Sequence, residues 1–351
     1  MKTAFVIGRF QPFHNGHKKL IDYALTVADY VVVLIGDTGC ARSFRDPWTV
    51  DERVKMMRSV YTDVERVRFA KVLDNPYCDD SWARDVRMTM KSLSGGQEVC
   101  IVGMHKDDTS FYLDLFPGVE VLKMPATDAW ESEENIPLSS TAIRRIIFHP
   151  EGANYHVNMK WVKEVALPKN ATNALQCEAY RAIVEEFRAI KADENLWMCP
   201  GSSLYGLQPK VAVDALVHTP TRVLLIVRGG ARGRGNFALP GGYLDHGERL
   251  YKGALRELKE EAGIELRFDN DYRFPPNVIP YDHPNRSSGI RTITNVLEIG
   301  VSEEFADANK PVPGDDAHDA FWCSKSALND MRWNFFSDHW HIIKIQLENR
   351  E

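Results

Sequence analysis

The sequence has little that would suit it to bind nucleic acid or to cross a membrane. Its 43 lysines and arginines are outnumbered by 49 aspartates and glutamates, so the positive excess typical of DNA- and RNA-binding proteins is missing. No apolar run approaches the length of about 20 residues that a spanning helix needs. The first residues form a strand pattern without the features of a signal peptide. We therefore expect a cytoplasmic protein that acts on small molecules, with no nucleic acid and no membrane as partner.

Cysteine is scarce and scattered. None of the 6 cysteines forms a Cys-x-x-Cys pair, which argues against a zinc site or a disulfide framework and predicts free thiols. Repeats and low-complexity tracts are missing too, and the 44% hydrophobic and 26% charged residues are ordinary for a globular protein. A length of 351 residues exceeds that of a usual single domain, so two domains are expected.

The two halves of the chain differ in pattern. Apolar segments at 4–7 and 31–35 predict buried strands, and the spacing of apolar residues between them predicts a helix that begins near Asn15. A strand, a helix and a second strand in this order are typical of a parallel sheet, which predicts an α/β, doubly wound, Rossmann-like domain. After Pro168 the composition changes. We expect a first domain over 1–170, a connecting helix and linker over 171–203, and a second domain over 204–351.

Three glutamates share one face of a predicted helix in the second half. Glu257, Glu260 and Glu261 lie at helical spacing, and the helix ends at Gly263, which favours a left-handed cap. Like charges at this spacing repel each other unless a cation lies between them, and carboxylate oxygens select magnesium or manganese. The alternative is a solvated acidic face on which Arg256 pairs with Glu260.

The residues around these glutamates resemble the complete Nudix box. Its positions are Gly242, Glu248, Arg256, Glu257, Glu260, Glu261 and Gly263. The resemblance implies an α/β/α sandwich that hydrolyses a nucleoside diphosphate linked to another group. It also implies a metal ion held by Glu257, Glu261 and the Gly241 carbonyl, with Glu260 in close support and Arg256 orienting the glutamates.

Flanking segments resemble the Nudix half of bacterial two-domain proteins with ADP-ribose pyrophosphatase activity. These segments are Tyr281 to Ser287, Arg291 to Thr294, and Asp315-Asp316. The resemblance implies ADP-ribose as the substrate, although His283-Pro284-Asn285 can also be a plain turn. The sequence leaves the general base open among Glu303, Glu304, Asp315 and Asp316.

Two histidines one turn apart open the first predicted helix. His14 and His17 lie beside the unpaired N–H groups of the helix N-terminus, which attract phosphate, and Gly16 allows close approach. Each imidazole can donate a hydrogen bond to charge that develops during phosphoryl transfer. The alternatives are ordinary surface histidines or a metal site, and the second lacks a third ligand nearby.

The longer string from Gly8 to His17 resembles the signature of archaeal-type nicotinamide mononucleotide (NMN) adenylyltransferases. Ser139-Ser140-Thr141-Ala142-Ile143-Arg144 matches the Ser-Ser-Thr-x-x-Arg string of that family, and physically it is a hydroxyl cap at a helix start. The resemblance implies that the NMN phosphate attacks the α-phosphorus of ATP, which gives NAD and diphosphate without a covalent enzyme intermediate.

This resemblance also implies the residues of the first site. The ATP-binding residues are Gly8, Arg9, Phe10, His14, His17, Ser139, Ser140, Thr141 and Arg144, of which His14, His17 and Arg144 act in catalysis. The NMN-binding residues are Phe10, Lys106 and Trp82, and Trp82 stacks on the nicotinamide ring unless it is a plain core residue. The segment from Arg42 through Arg45 to Thr49 aligns loosely with the family's Asn-Pro-Phe-Thr element, and Asp46 replaces its asparagine.

Together the resemblances imply a bifunctional enzyme of NAD metabolism. It would use Mg²⁺ or Mn²⁺ in both domains and take ATP, NMN and ADP-ribose as its small-molecule partners. Three alternatives stay open. The Nudix half could hydrolyse another nucleoside diphosphate, it could be an ADP-ribose sensor that regulates the transferase, or the transferase could use another mononucleotide or a phosphopantetheine-like acceptor. The sequence is compatible with a homo-oligomer.

Overall fold

The computed structural model describes residues 1–104, 108–125, 138–168, 171, 177, 179–197, 209–266 and 278–348. The chain divides into two units, Met1–Val184 and Glu185–Glu351. The exact domain boundaries proposed from the sequence remain a prediction. None of the described helices is long and apolar enough to span a bilayer. Five cysteines within the described residues, Cys40, Cys78, Cys100, Cys177 and Cys323, are free thiols.

The first unit is built on a parallel sheet. Its strands are β1 (Lys2–Gly8), β2 (Tyr30–Asp37), β3 (Val67–Leu73), β4 (Glu98–Gly103) and β5 (Glu120–Lys123). They lie in the order β3-β2-β1-β4-β5, so the direction of winding reverses between β1 and β4. Ligands of doubly wound folds bind at the carboxyl ends of the strands beside such a reversal. This topology confirms the predicted Rossmann-like domain.

Helices connect these strands and follow them. They are α1 (Asn15–Val27), α2 (Val50–Arg58), α3 (Asp79–Ser94), α4 (Ser140–Ile147) and α5 (Tyr155–Trp161), with a 3₁₀ segment at Asp108–Leu115. The next helix, α6 (Tyr180–Trp197), begins in the first unit and continues into the second. The predicted start of α1 is confirmed. Phe5, Leu34 and Ile101 of the sheet pack against α3 through Val86 and Met90. This core fixes the strand ends from which the first site is built.

The second unit has a mixed sheet with the order β10-β11-β6-β7-β12, to which β8 and β9 add at β7 and β6. Its strands are β6 (Lys210–His218), β7 (Arg222–Arg228), β8 (Phe237–Ala238), β9 (Gly241–Tyr243), β10 (Val278–Tyr281), β11 (Thr292–Gly300) and β12 (Ala317–Ser324). Its helices are α7 (Leu250–Ala262), α8 (Glu303–Ala308), α9 (Leu328–Met331) and α10 (His339–Glu348). A separate mixed sheet with packed helices confirms the predicted Nudix-type α/β domain.

The apolar stripe of α7 determines where its carboxylates lie. Ala254, Leu258 and Ala262 recur every four residues and are buried in the core against β6 and β7. Glu257 and Glu261 each precede a residue of this stripe, so they fall at its edge, and they are 7% and 2% exposed. Packing of the stripe therefore forces two carboxylates into a partly desolvated position.

Candidate active sites

The buried carboxylates of α7 meet the two glycines at the start of β9. The Gly241 N–H donates to Glu261 Oε2 at 2.7 Å. A Cβ at Gly241 would lie 2.1 Å from Asp214 Oδ1, and one at Gly242 would lie 2.5 Å from Glu257 Oε1. Only glycine fits at either position, because any side chain would displace a carboxylate. The backbone therefore approaches the acidic cluster closely enough for a backbone carbonyl and carboxylates to bind the same cation.

Arg256 holds three carboxylates around this point. Its Nη1 donates to Glu257 Oε1 at 2.7 Å and to Glu260 Oε2 at 2.9 Å, and its Nε donates to Glu248 Oε1 at 3.1 Å. The hydrogen bond with Arg256 lowers the pKa of Glu248, and the bonds to the glutamates, Glu248 first, raise the pKa of Arg256. The Arg256–Glu260 pair that the acidic-face alternative requires is present, but it belongs to this wider network.

Asp316, which lies outside the box, contacts Glu261. Burial, followed by the hydrogen bond with Asp316, raises the pKa of Glu261 to about 9. Burial also raises the pKa of Glu257, against the opposing effect of Arg256 and with a smaller contribution from Asp315. Crowded acids of this kind ionise fully only when a cation compensates their charge. The electrostatics of the cluster therefore fit a divalent cation.

The donor set fits such an ion in its chemistry. Carboxylates and a backbone carbonyl are the oxygen ligands that Mg²⁺ and Mn²⁺ prefer. Within the described ranges, no three His, Cys, Asp or Glu side chains are already arranged as a metal cage. Glu257 and Glu260 turn toward the Arg256 guanidinium instead. A metal ion would have to draw these two carboxylates away from Arg256.

The four candidates for a general base lie in two different places. Asp315 and Asp316 lie near the carboxylates of α7, because Asp315 helps to raise the pKa of Glu257 and Asp316 that of Glu261. Glu303, in contrast, accepts the Thr221 N–H at 2.9 Å and the Arg222 Nε–H at 2.9 Å, where β6 turns into β7. Glu304 follows it in the first turn of α8. The geometry favours the two aspartates.

We expect metal binding at this cluster to release about one proton at pH 7 to 8. Because the pKa of Glu261 is raised to about 9, the group is protonated at this pH and must lose its proton to become a ligand. The affinity for Mn²⁺ should then rise as the pH increases toward 9. Calorimetric titration with Mn²⁺ in Tris and in HEPES checks this, with Glu265→Gln, a surface substitution at the pair with Lys259, as the control that should keep both binding and proton release. Equal binding heats in the two buffers would contradict it.

His14 and His17 cap α1 reciprocally. His14 Nδ1 accepts the N–H of Gly16 at 3.1 Å and of His17 at 3.4 Å, and His17 Nδ1 accepts the His14 N–H at 3.3 Å. The two rings stack with centroids 3.7 Å apart. Since both Nδ1 atoms accept, each neutral ring carries its hydrogen on Nε2. The caps occupy both Nδ1 atoms, so any hydrogen bond that either imidazole donates to a phosphate comes from Nε2.

Arginines and aspartates from several segments gather beside this helix end. Arg9 Nη2 lies 2.8 Å from Asp74 Oδ2, and Asp46 Oδ2 lies 4.0 Å from Arg9 Nη1 and 3.9 Å from Arg45 Nε. Burial would raise the pKa of Asp46, but Arg9, Arg45 and Arg144 hold it below its usual value. Burial also lowers the pKa of Arg45 and of Arg144 to about 10. Partly desolvated arginines in such numbers suit a polyphosphate.

The second motif of the first unit is joined directly to the histidine loop. Ser139 caps α4, as expected. Ser140 Oγ donates to the Pro12 carbonyl at 3.2 Å, and Arg144 Nη1 donates to the Gln11 carbonyl. These contacts bring the two motifs together, although they are far apart in the sequence. Thr141 supports the arrangement, because its Oγ1 accepts from Arg144 Nη2 at 3.2 Å.

The residues at the end of β1 shape the loop more than they face a ligand. Phe10 has a positive φ of 53° and is 2% exposed. Its ring meets the His17 ring edge-on at 4.8 Å, and a Cβ at Gly8 would lie 3.1 Å from the Phe10 ring. Phe10 can therefore offer only a small part of its surface to ATP or NMN.

Trp82 lies in the first turn of α3 within an aromatic group. Its ring meets Tyr112 at 6.2 Å and Phe116 at 5.9 Å, in both cases edge-on. Trp82 is partly exposed, so one face remains compatible with a stacked ligand. Lys106, the third NMN-binding candidate, lies outside the described residues.

Arg53 is a site residue that the sequence did not single out. It is 3% exposed, and its Nη1 donates to the carbonyls of Arg9 at 2.6 Å and Gly36 at 2.8 Å. It thereby ties the loop after β1 to the end of β2. In the sequence, an arginine on the polar helix α2 is indistinguishable from a surface residue. The segment that contains Asp46, left without a role at first, is part of the same charged cluster.

Comparisons with known proteins match the two units separately. The family model described as "Cytidylyltransferase-like" matches residues 5–146, and the model described as "NUDIX domain" matches residues 208–344. A nicotinamide/nicotinic acid mononucleotide adenylyltransferase of Acinetobacter baylyi is 28% identical over 190 residues, 52% of this chain and 92% of the relative. A nicotinamide-nucleotide adenylyltransferase of Methanospirillum hungatei is 31% identical over 150 residues, 42% of this chain and 77% of the relative.

A solved structure resembles the whole chain. It is a bifunctional NMN adenylyltransferase/ADP ribose pyrophosphatase of Francisella tularensis, complexed with AMP and a manganese ion. It has a TM-score of 0.78 and 24% sequence identity, and it covers 99% of this chain and 99% of its own. At this identity the similarity establishes a shared fold.

Proposed function

The chain belongs to the nicotinamide-nucleotide adenylyltransferase family and carries a NUDIX domain, and from this premise we propose that it is a bifunctional enzyme. The first unit forms NAD and diphosphate from NMN and ATP. The second unit hydrolyses ADP-ribose to AMP and ribose 5-phosphate. One observation supports the proposal: each unit brings together charged side chains from segments distant in sequence. In the first unit they are arginines that suit a polyphosphate, and in the second they are carboxylates that suit a divalent cation. We propose that the protein works in the cytoplasm.

In the first unit, catalysis rests on positioning and charge stabilisation. The magnesium or manganese complex of ATP binds with its phosphates between Arg9, Arg45 and Arg144. The Nε2–H groups of His14 and His17 donate to the oxygens of the α-phosphate, where charge develops as the NMN phosphate attacks and diphosphate leaves. The positive end of the α1 helix dipole adds to the attraction for the same anion.

In the second unit, Glu257, Glu261 and the Gly241 carbonyl would hold a metal ion, with Glu260 in support. Such a Mg²⁺ or Mn²⁺ ion would supply polarisation of the bridging phosphates and a bound water of lowered pKa. Before metal binds, Arg256 holds Glu257 and Glu260 beside the site through the bonds described above, and metal binding would draw them away from it. We place the general base at Asp315 or Asp316, because Asp316 hydrogen-bonds Glu261 and the charge of Asp315 acts on Glu257.

A substrate panel on the full chain tests the proposal. Chromatography of ATP with NMN, with another mononucleotide or with a phosphopantetheine acceptor identifies the transferase reaction. ADP-ribose compared with other nucleoside diphosphate derivatives identifies the hydrolase substrate. We expect NAD in the first set, and AMP with ribose 5-phosphate in the second. Preference for another acceptor or another diphosphate would replace the corresponding half of the proposal.

We expect Trp82→Ala to raise the KM for NMN about tenfold, since stacking of a base on an aromatic ring contributes about 1–3 kcal/mol. The KM for ATP should change little, and Trp82→Phe should recover most of the affinity. Steady-state kinetics with each substrate varied in turn provide the measurement. An unchanged KM for NMN in Trp82→Ala would leave Trp82 as a core residue packed on Tyr112 and Phe116.

A further inference from the structure

A side chain from the C-terminal helix holds the segment that leads into the metal-site glycines. The Leu239 N–H donates to His339 Nδ1 at 3.1 Å. Leu239 is 1% exposed and His339 is 5% exposed. A buried backbone N–H needs an acceptor, because leaving it unpaired destabilises the fold. His339 supplies that acceptor at a point where solvent does not reach.

Three successive residues of this segment are each fixed to a different element. Leu239 is bonded to α10 through His339. The Pro240 carbonyl accepts the Ala215 N–H of β6 at 2.8 Å, and the Gly241 N–H donates to Glu261 of α7 at 2.7 Å. The bond to β6 is part of the sheet, and the bond to α7 is part of the Nudix box. The bond from Leu239 to His339 belongs to neither, so its purpose needs a separate explanation.

His339 is itself held firmly. Asp338 forms a buried ion pair with Arg286, at 3.0 Å from Oδ2 to Nε and with both side chains 7% exposed. The Phe336 N–H donates to the Phe237 carbonyl at 2.8 Å, so the chain before α10 runs beside β8. Burial lowers the pKa of His339, which keeps the ring neutral and Nδ1 able to accept. The position of His339 and its hydrogen bond to Leu239 are thus fixed by the surrounding packing and ion pair.

We propose that His339 is a positioning residue of the hydrolase site: it fixes Leu239 and Pro240 so that the Gly241 backbone faces Glu257 and Glu261. The proposal rests on the metal-dependent hydrolysis proposed for the second unit. His339 acts through the backbone and touches no reacting atom. Replacing a group that hydrogen-bonds a metal ligand directly typically changes metal affinity or activity about 10–100-fold. Because His339 acts through two further residues of backbone, we expect the lower end of that range.

Direct Mn²⁺ binding to the full chain tests this role without substrate. We expect His339→Ala to weaken Mn²⁺ binding about tenfold or more, measured by calorimetry, and to raise the Mn²⁺ concentration needed for half-maximal hydrolysis to a similar extent. The kcat at saturating Mn²⁺ should fall less than the affinity. His341→Ala is the matched control for lost packing, because His341 lies on the same helix and is 6% exposed. Its Mn²⁺ affinity should stay near that of the wild type.

Conservative variants separate positioning from packing. In His339→Asn the amide oxygen takes the place of Nδ1 and can accept the Leu239 N–H, so Mn²⁺ affinity should stay near that of the wild type. In His339→Gln the polar atoms lie one bond further out, so affinity should fall. This pair decides the question even if His339→Ala does not fold. Wild-type Mn²⁺ binding in His339→Ala or His339→Gln, or an equal loss in His341→Ala, would overturn the proposal.

Failure of the hydrolase assignment and failure of the His339 role give different experimental results. If the wild-type chain hydrolyses no nucleoside diphosphate, the hydrolase assignment fails. The Mn²⁺ titrations still report whether His339 controls the geometry of the glycine segment. If hydrolysis is present and none of the His339 variants changes Mn²⁺ binding, the hydrolase assignment stands and the positioning role fails.

Discussion

Glu261→Gln is expected to reduce hydrolysis of ADP-ribose by at least about a thousandfold, equivalent to about 4 kcal/mol of transition-state stabilisation, and to leave NAD synthesis unchanged. Glu261 is 2% exposed and accepts the Gly241 N–H at 2.7 Å. Glutamine keeps the size of the side chain but cannot carry the negative charge that a divalent ion requires as a ligand. The loss should therefore affect kcat at any metal concentration that can be reached.

The measurement is phosphate release from ADP-ribose with a coupled phosphatase, which acts on the monoester products. Glu265→Gln is a matched control, because Glu265 lies beyond the end of α7 and pairs with Lys259 at 3.7 Å on the surface. Its activity should equal that of the wild type. If wild type and Glu261→Gln release phosphate at the same background rate, the second unit is not a hydrolase of ADP-ribose, and the sensor alternative gains support.

His17→Asn is expected to lower kcat for NAD synthesis about 100- to 1000-fold, the usual cost of losing one donor to developing charge, and to leave ADP-ribose hydrolysis unchanged. The His17 ring has two separate tasks. Its Nδ1 accepts the His14 N–H at 3.3 Å, and its Nε2–H is the proposed donor to the α-phosphate. Asparagine can still accept at the position of Nδ1, but it has no atom at the position of Nε2.

The comparison with His17→Ala separates these two tasks. Alanine loses both, so it should be as inactive as asparagine and also less stable, by about 1 kcal/mol for a lost helix cap. Thermal unfolding and NAD formation are measured on the same samples, with the exposed His156→Ala as the control. Normal NAD synthesis by His17→Asn would show that His17 caps the helix and does not act on the phosphate.

The local elements of this fold were predictable from sequence because their signals are local. The start of α1 at Asn15 follows from apolar spacing after a loop, and the end of α7 follows from Gly263, whose φ is 65°. The shared face of Glu257, Glu260 and Glu261 is a consequence of helix geometry alone. Helix α6 shows the limit of this approach: the sequence predicted a connecting helix within 171–203, but only the structure gives its bounds, Tyr180–Trp197.

The contacts that join these elements were not predictable from the residues. Arg53 and Asp74 are ordinary charged residues in the sequence, and only the tertiary structure brings them to the first site. His339 is a further example, because its bond to Leu239 links residues 100 positions apart. The meeting of His14 with the α4 motif was expected only through family resemblance. The structure provides its physical basis in the bond from Arg144 to the Gln11 carbonyl.

The most direct test of the two-site account assays both reactions on one preparation of each of three proteins: the wild type, Glu261→Gln and His17→Asn. We predict that the wild type forms NAD from NMN and ATP and also releases AMP from ADP-ribose. Glu261→Gln should lose only the second reaction, and His17→Asn only the first. A wild-type chain that lacks either reaction, or a variant that loses both, would contradict the account.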